Sequence, residues 1–190
     1  MRTIYTFLFQ ALWAVWIIYW FAASFAAKPV RRRESVASRL SHIVPLCIGI
    51  YLLAWPHTHG DWLGRLLLPQ TATSFWLGTA LVVAGLGLTV AARVHLGGNW
   101  SGTVTLKQDH SLTRSGPYRF VRHPIYTGIL LAVAGGIVAS CEWRGLLALA
   151  LFTGSFLRKI SIEERFLTEQ FGPAYVRYRE EVPALIPGVI

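Results

Sequence analysis

Charge is scarce in this chain and acidic charge scarcer still: 14% of its 190 residues are Asp, Glu, Lys or Arg, with 9 acids against 18 bases, while 54% are apolar. Such a composition excludes an ordinary soluble domain and points to a polytopic membrane protein. Only two cysteines are present, too few for a disulfide framework; Cys47 inside one apolar run and Cys141 at the end of another read as packing residues. His57 and His59 have the spacing of a metal pair, but Asp61 is their only neighbouring ligand type, so surface histidines are expected and no catalytic metal. GxSxG and P-loop motifs are missing, as is a Ser-His-Asp constellation, which removes the common nucleophilic and nucleotide-hydrolysing chemistries.

What the chain does have is long apolar runs. Thr3 to Ala27 carries no charge, and roughly 25 residues at about 1.5 Å each cross a hydrocarbon core of about 30 Å. It is too long and, with Trp13, Trp16 and Trp20, too aromatic for a cleaved leader. Ile43–Trp55, which contains Pro45, is a shorter second stretch that spans if helix extends to Ser41 and Pro56 or if the bilayer thins locally. Trp62 to Leu68 suggests a short interfacial helix. Thr71–Ala92 is a third span, with Ala80, Ala84, Gly85 and Gly87 expected to permit close helix contact. Pro124–Ser140 and Gly145–Leu157 follow around a tight turn at Cys141–Arg144. The last helix is expected to run on through Glu163, Glu164 and Phe166 until Gly172-Pro173 stops it. The fold class is therefore all-α: an integral membrane protein of about five transmembrane helices. It forms one domain over residues 1–190, with N-terminal spans in 1–92 and a functional region in 93–190.

The basic residues orient these spans. With the amino terminus outside, the inner segments hold 15 of the 18 lysines and arginines, and only Arg2, Arg65 and Arg144 lie outside. This is a strong positive-inside signal. The net charge of +9 thus answers to topology and anionic headgroups rather than to nucleic acid. It places the polar segment Arg93–His123 and the tail after Leu157 on one cytoplasmic face, where they can share a site.

The seam between polar loop and apolar span is Ser115–Gly128, reading SGPYRFVRHPIYTG. Pro124 suits the first helical position. The first-turn amides and helix dipole are then expected to form an anion site beside Arg119, Arg122 and His123. Arg158, Lys159, Glu163 and Glu164 converge on the same face. Taken one by one these groups also fit structural roles: a cap at His123, interfacial aromatics at Tyr118 and Tyr126, and an i,i+4 pair at Lys159 and Glu163.

Taken in order they resemble a family. Gly116-x-Tyr118, Arg122-His123-Pro124-x-Tyr126-x-Gly128, Glu163-Glu164, Phe171-Gly172-x2-Tyr175-x2-Tyr178 and Val182-Pro183-x-Leu185-x-Pro187 resemble the isoprenylcysteine carboxyl methyltransferases and their phospholipid methyltransferase relatives, as a short prokaryotic-type member. The match runs from about Gly97 onward, roughly half the chain, and several motifs in order are more specific than any one.

The resemblance implies a membrane-embedded methyltransferase that uses S-adenosylmethionine without a Rossmann domain. His110, Leu112, Thr113, Tyr118, His123, Pro124, Tyr126 and Glu163 match positions around the cofactor. Candidate catalytic residues are Arg158, Lys159, Glu163 and Glu164. Lys159 aligns with a basic residue near the acceptor carboxylate, usually arginine, and Arg158 stands next to it. The implied reaction is O-methylation of a prenylated or lipid-like carboxylate. Alternatives are a phosphatidylethanolamine-type N-methyltransferase, a small-thiol methyltransferase, or a non-catalytic membrane scaffold or sensor. Implied partners are the lipid bilayer and a lipophilic acceptor, not nucleic acid.

Overall fold

The computed structural model describes residues 2–25, 30–54, 62–100, 105–107 and 112–189. It is a helical architecture: α1 (Arg2–Ser24), α2 (Val36–Ala54), α3 (Ala72–Leu96), α4 (Pro124–Ser140), α5 (Trp143–Phe171) and the short α6 (Pro173–Glu181). A two-stranded antiparallel ribbon, β1 (Val30–Arg33) with β2 (Thr105–Lys107), is added to it. Among the described residues, α1, α2, α3 and α5 are each long and apolar enough to cross a membrane, and α4 is an apolar helix of 17 residues. At about 1.5 Å per residue α4 reaches about 25 Å, slightly short of a full hydrocarbon core.

Local chemistry sets several boundaries. Thr71 and Ser74 form a reciprocal capping box that starts α3, each side chain bonding the other's backbone amide at 3.0 Å. Pro124 opens α4 as expected. Cys141 ends it in a left-handed conformation (φ 55°). Gly172, at φ 53°, stops α5 directly before Pro173 begins α6.

The helices alternate in direction, and side-chain bonds identify the two ends. At one end the Gln70 amide donates to the Ala139 carbonyl at 2.9 Å, and the Leu67 amide to that of Cys141 at 2.6 Å. At the other end Arg93 of α3 donates to the Ala23 carbonyl of α1, and Arg158 of α5 to Ser41 of α2 at 3.3 Å. The polar residues of the seam and the tail gather at this second end.

Close packing of α3 on α4 runs through glycines. A Cβ built on Gly135 would lie 2.6 Å from the Gly78 carbonyl oxygen, and one on Gly128 would lie 2.7 Å from Thr89 Cγ2. Gly78 and Gly85 make the reciprocal approaches. Small residues let helix backbones meet where lipid offers no hydrophobic drive. Of the four positions expected to do this, Gly85 does; Ala80 and Ala84 are exposed, and nothing lies within 4 Å of a Cβ on Gly87. The α3 contact face passes through Gly78, Val82 and Gly85.

Two other expectations are corrected, and that of a lengthened second span is met at its start. Only a single 3-10 turn, Trp62–Gly64, forms where an interfacial helix was expected; the chain beyond it pairs Leu66 with Glu142 instead. Cys47 is exposed on the outer face of α2, whereas Cys141 is buried. The second span is longer than its apolar core because α2 begins at Val36 and continues through Pro45. His57, His59, Asp61 and His110 lie outside the described residues.

Gly135→Leu is expected to lower the melting temperature in detergent, by overpacking worth about 1–3 kcal/mol or more. Gly87→Leu, facing open space, should leave it within about 0.5 kcal/mol. Thermal unfolding followed by tryptophan fluorescence checks both.

Candidate functional site: a paired-carboxylate cluster

Glu163 and Glu164 are neighbours on α5, and both meet the start of α4. His123, the residue before Pro124, stands between them: its Nδ1 is 3.6 Å from Glu163 Oε2 and its Nε2 is 3.3 Å from Glu164 Oε1. Its imidazole stacks on Tyr126 at 5.6 Å, and Tyr126 stacks on Phe156 at 4.7 Å. The Tyr126 hydroxyl donates to Glu163 Oε1 at 2.7 Å. Lys159, one turn before Glu163, puts its Nζ 4.0 Å from the same oxygen and 5.3 Å from the Tyr126 ring centre.

Glu164 is the more enclosed acid. Arg122 binds it through both Nε and a terminal nitrogen at 2.8 Å, with both side chains 9% exposed. Arg179 of α6 reaches its other oxygen at 3.2 Å. A buried carboxylate needs this number of partners, and the planar guanidinium of Arg122 supplies two charge-assisted bonds at once. Arg122 also donates to the carbonyls of Arg179, at 3.0 Å, and Val182.

The tail closes the same corner. The Arg122 and His123 amides donate to the carbonyls of Pro183 and Ala184 at 2.9 and 3.0 Å, and Thr127 Oγ1 donates to that of Leu185 at 2.7 Å. This limits the expected backbone anion site at the start of α4. Pro124 has no amide, those of Tyr126 and Thr127 bond the His123 carbonyl, and the two before the helix are taken by the tail. The His123 side chain makes no capping bond. Side chains make the contacts of this cluster.

Two tyrosines brace it from behind. The Tyr178 hydroxyl donates to the Tyr118 carbonyl at 2.6 Å, and Tyr118 stacks on His95 near the end of α3. Burial is the main cause that pushes the Tyr178 phenol up to about 12, with Glu164 adding to it and Arg122 and Arg114 opposing. Burial likewise raises Tyr118 and Tyr175 well above the usual phenol range. All three stay protonated at neutral pH, so Tyr178 keeps its donor role.

The predicted residues are thus brought together unequally. His123, Tyr126, Lys159, Glu163 and Glu164 form one cluster, with Pro124 buried at its helix start. Tyr118 belongs to the supporting wall. Leu112 and Thr113 lie half-buried in the coil before it. Arg158 is exposed and turned toward Ser41 of α2, so of the two adjacent bases it is Lys159 that faces the carboxylates. Arg179 and the carbonyls of Val182 to Leu185 were not anticipated; the Val182-Pro183-x-Leu185-x-Pro187 pattern marked the segment without revealing its contacts. Among the described residues no group of three His, Cys, Asp or Glu is arranged for a metal.

Removing either partner of the Arg122–Glu164 pair leaves a buried charge. Glu164→Ala and Arg122→Ala should each cost about 3–5 kcal/mol of stability, and the double variant less than their sum. Arg114→Ala, which breaks an exposed pair with Glu181, should cost below about 1 kcal/mol. Chemical denaturation of the purified protein in detergent measures all four.

Residues 76–169, from α3 to the end of the carboxylate cluster, match the model of the isoprenylcysteine carboxyl methyltransferase (ICMT) family. Protein-S-isoprenylcysteine O-methyltransferase B of Arabidopsis thaliana is 28% identical over 127 residues, covering 64% of this chain and 64% of the relative. The Schizosaccharomyces pombe protein-S-isoprenylcysteine O-methyltransferase is 34% identical over 106 residues, 54% of this chain and 45% of its own length. The chain therefore spans about two thirds or less of these relatives. A solved structure of the eukaryotic intramembrane Ras methyltransferase ICMT superposes with a TM-score of 0.53 at 25% identity, over 80% of this chain and 52% of that one. By matched segment, relatives and fold, residues 76–169 belong to the isoprenylcysteine carboxyl methyltransferase family.

Proposed function

We propose that the protein is an integral membrane methyltransferase that uses S-adenosylmethionine to O-methylate the carboxylate of an isoprenylcysteine-like acceptor. The observation that carries this reading is the Lys159–Glu163–His123–Glu164 cluster, built on Tyr126 and Phe156, within the segment that matches the family.

The residues present suit the methyl donor. Glu163 is 20% exposed at the rim of the cluster, and its carboxylate is a partner for an ammonium or for ribose hydroxyls. The donor would supply an electrophilic methyl carbon on a sulfonium, whose C–S bond breaks as the acceptor oxygen forms its C–O bond. Everything else is alignment and exclusion of water. The stack of His123, Tyr126 and Phe156 fixes the orientation of Glu163 through the Tyr126 hydroxyl. Lys159 holds the acceptor carboxylate as a point charge, without the two-pronged grip of arginine. That carboxylate is ionised at neutral pH, so no side chain has to remove a proton. Glu164, saturated by Arg122, His123 and Arg179, keeps His123 in place rather than entering the reaction.

The orientation that accompanies this reading has the amino terminus outside and the cluster and tail cytoplasmic, as the distribution of basic residues favours. The lipid-like acceptor then enters sideways between helices from the bilayer.

Labelled methyl transfer from S-adenosylmethionine to a panel of prenylcysteines, phospholipids and small thiols tests the reading. The expected product is a methyl ester that releases labelled methanol in base; a base-stable methylamine or thioether would replace the proposal with N- or S-methylation. Lys159→Ala should raise the KM for the carboxylate acceptor roughly tenfold with a smaller change in kcat, and Lys159→Arg should restore most of it.

A further inference from the structure

One face of α5 changes character along its length. Gly154, Leu157, Ser161, Arg165 and Thr168 follow at steps of three and four residues and so share a side of the helix. Nothing lies within 4 Å of a Cβ on Gly154, and Leu157 is 50% exposed, which in a spanning helix is a surface for lipid tails. Beyond them Ser161, Arg165, Thr168 and Glu169, with the buried Glu164 and Arg179 of α6, line a groove of about 470 Å³. Ser161 stands about 6 Å and Arg165 about 12 Å past Leu157 along the axis, and the headgroup layer on each side of the hydrocarbon is about 5–8 Å deep. The groove therefore opens where tails give way to phosphates.

Its lining suits one kind of headgroup. Arg165 is exposed and, among the described residues, pairs with no acid. Arg179 meets Glu164 Oε2 through Nε at 3.2 Å with its side chain half exposed, and Arg122 already gives Glu164 a two-pronged counter-ion. Two guanidiniums, one from each helix, thus present donors to an anion. Glu169 offsets one of their charges, which leaves the groove matched to a single negative charge. The hydroxyls have the opposite polarity: Ser161 Oγ donates to the Leu157 carbonyl at 2.9 Å and Thr168 Oγ1 to that of Glu164 at 2.7 Å, so both oxygens are left as acceptors. A singly charged phosphodiester that carries hydroxyls satisfies both halves. A choline headgroup has no N–H or O–H to donate and would bring a cation beside the arginines.

We propose that this groove binds the headgroup of an anionic glycerophospholipid of that kind, of which phosphatidylglycerol is the simplest, with the tails lying along Leu157 and Gly154. The phosphate bridges Arg165 of α5 and Arg179 of α6. The Arg179 carbonyl accepts from Arg122 at 3.0 Å, and the chain beyond α6 pairs with the Arg122 and His123 amides. A lipid that joins α6 to α5 therefore staples the corner that holds Glu163. It is a structural ligand rather than a methyl acceptor, and the inference goes beyond the reaction proposed above without depending on its acceptor.

The full chain in neutral maltoside detergent is titrated in turn with dihexanoyl phosphatidylglycerol, dihexanoyl phosphatidylcholine and glycerophosphoglycerol, the last being the same headgroup without tails. Thermal unfolding followed by tryptophan fluorescence reads binding as a rise in midpoint. Phosphatidylglycerol is expected to raise the wild-type midpoint saturably, with the other two at least about tenfold weaker. Arg165→Gln removes a donor and Ser161→Trp fills the groove; each should weaken phosphatidylglycerol binding about tenfold, as for one hydrogen bond to a charged group. Both positions are exposed, so the variants without lipid should unfold as the wild type does. Equal stabilisation by phosphatidylcholine would reveal a lipid effect blind to the headgroup, and equal binding of glycerophosphoglycerol a site for free anions. Either result overturns the inference, as does a wild-type response in both variants. Neither methyl donor nor acceptor enters the measurement, so its failure leaves the methyltransferase reading standing.

Discussion

The burial of Glu164 is the constraint on which the functional end of the molecule depends. A carboxylate 9% exposed among helices is tolerable only when its charge and lone pairs are matched. Three partners come from two places: Arg122 and His123 before α4, and Arg179 on α6. Arg122 then draws in the carbonyls of Arg179 and Val182, while its own amide pairs with Pro183. One acid thereby joins a loop, a helix start and the tail into a single corner. Glu163, one residue earlier, inherits a fixed position from it without being consumed by it.

That division explains why two adjacent glutamates have different environments. Glu164 points into the corner and is saturated. Glu163 points toward Tyr126 and Lys159 and retains some exposure. A reacting site needs such a group on a rigid support, with one residue anchored so that its neighbour is free to bind. The glycine-lined contact of α3 with α4 serves the same purpose from the membrane side, since it fixes the height at which α4 begins and so the level of His123.

How legible this was depended on the range of the interactions involved. Pro124 at the start of α4 and Gly172-Pro173 at the end of α5 were readable because proline and glycine act through their own backbone preferences. The meeting of His123 with Glu163 and Glu164 was readable from topology, because alternating spans place both on one side. The tail contacts were not: a carbonyl accepting an amide some 60 residues away leaves no mark on residue type. The β1–β2 ribbon was missed for the same reason. Cys47 illustrates the limit of apolar patterning in a membrane, where lipid-facing and protein-facing positions are equally apolar.

The central claim is that the corner around Glu163 and His123 binds S-adenosylmethionine. Titration calorimetry of the detergent-purified protein with S-adenosylmethionine addresses it without requiring any acceptor. The account predicts saturable heat from the wild type, abolished in Glu163→Ala and His123→Ala proteins that still show the wild-type helical circular dichroism spectrum. A folded wild type that gives no heat, or variants that bind as tightly as the wild type, would contradict it.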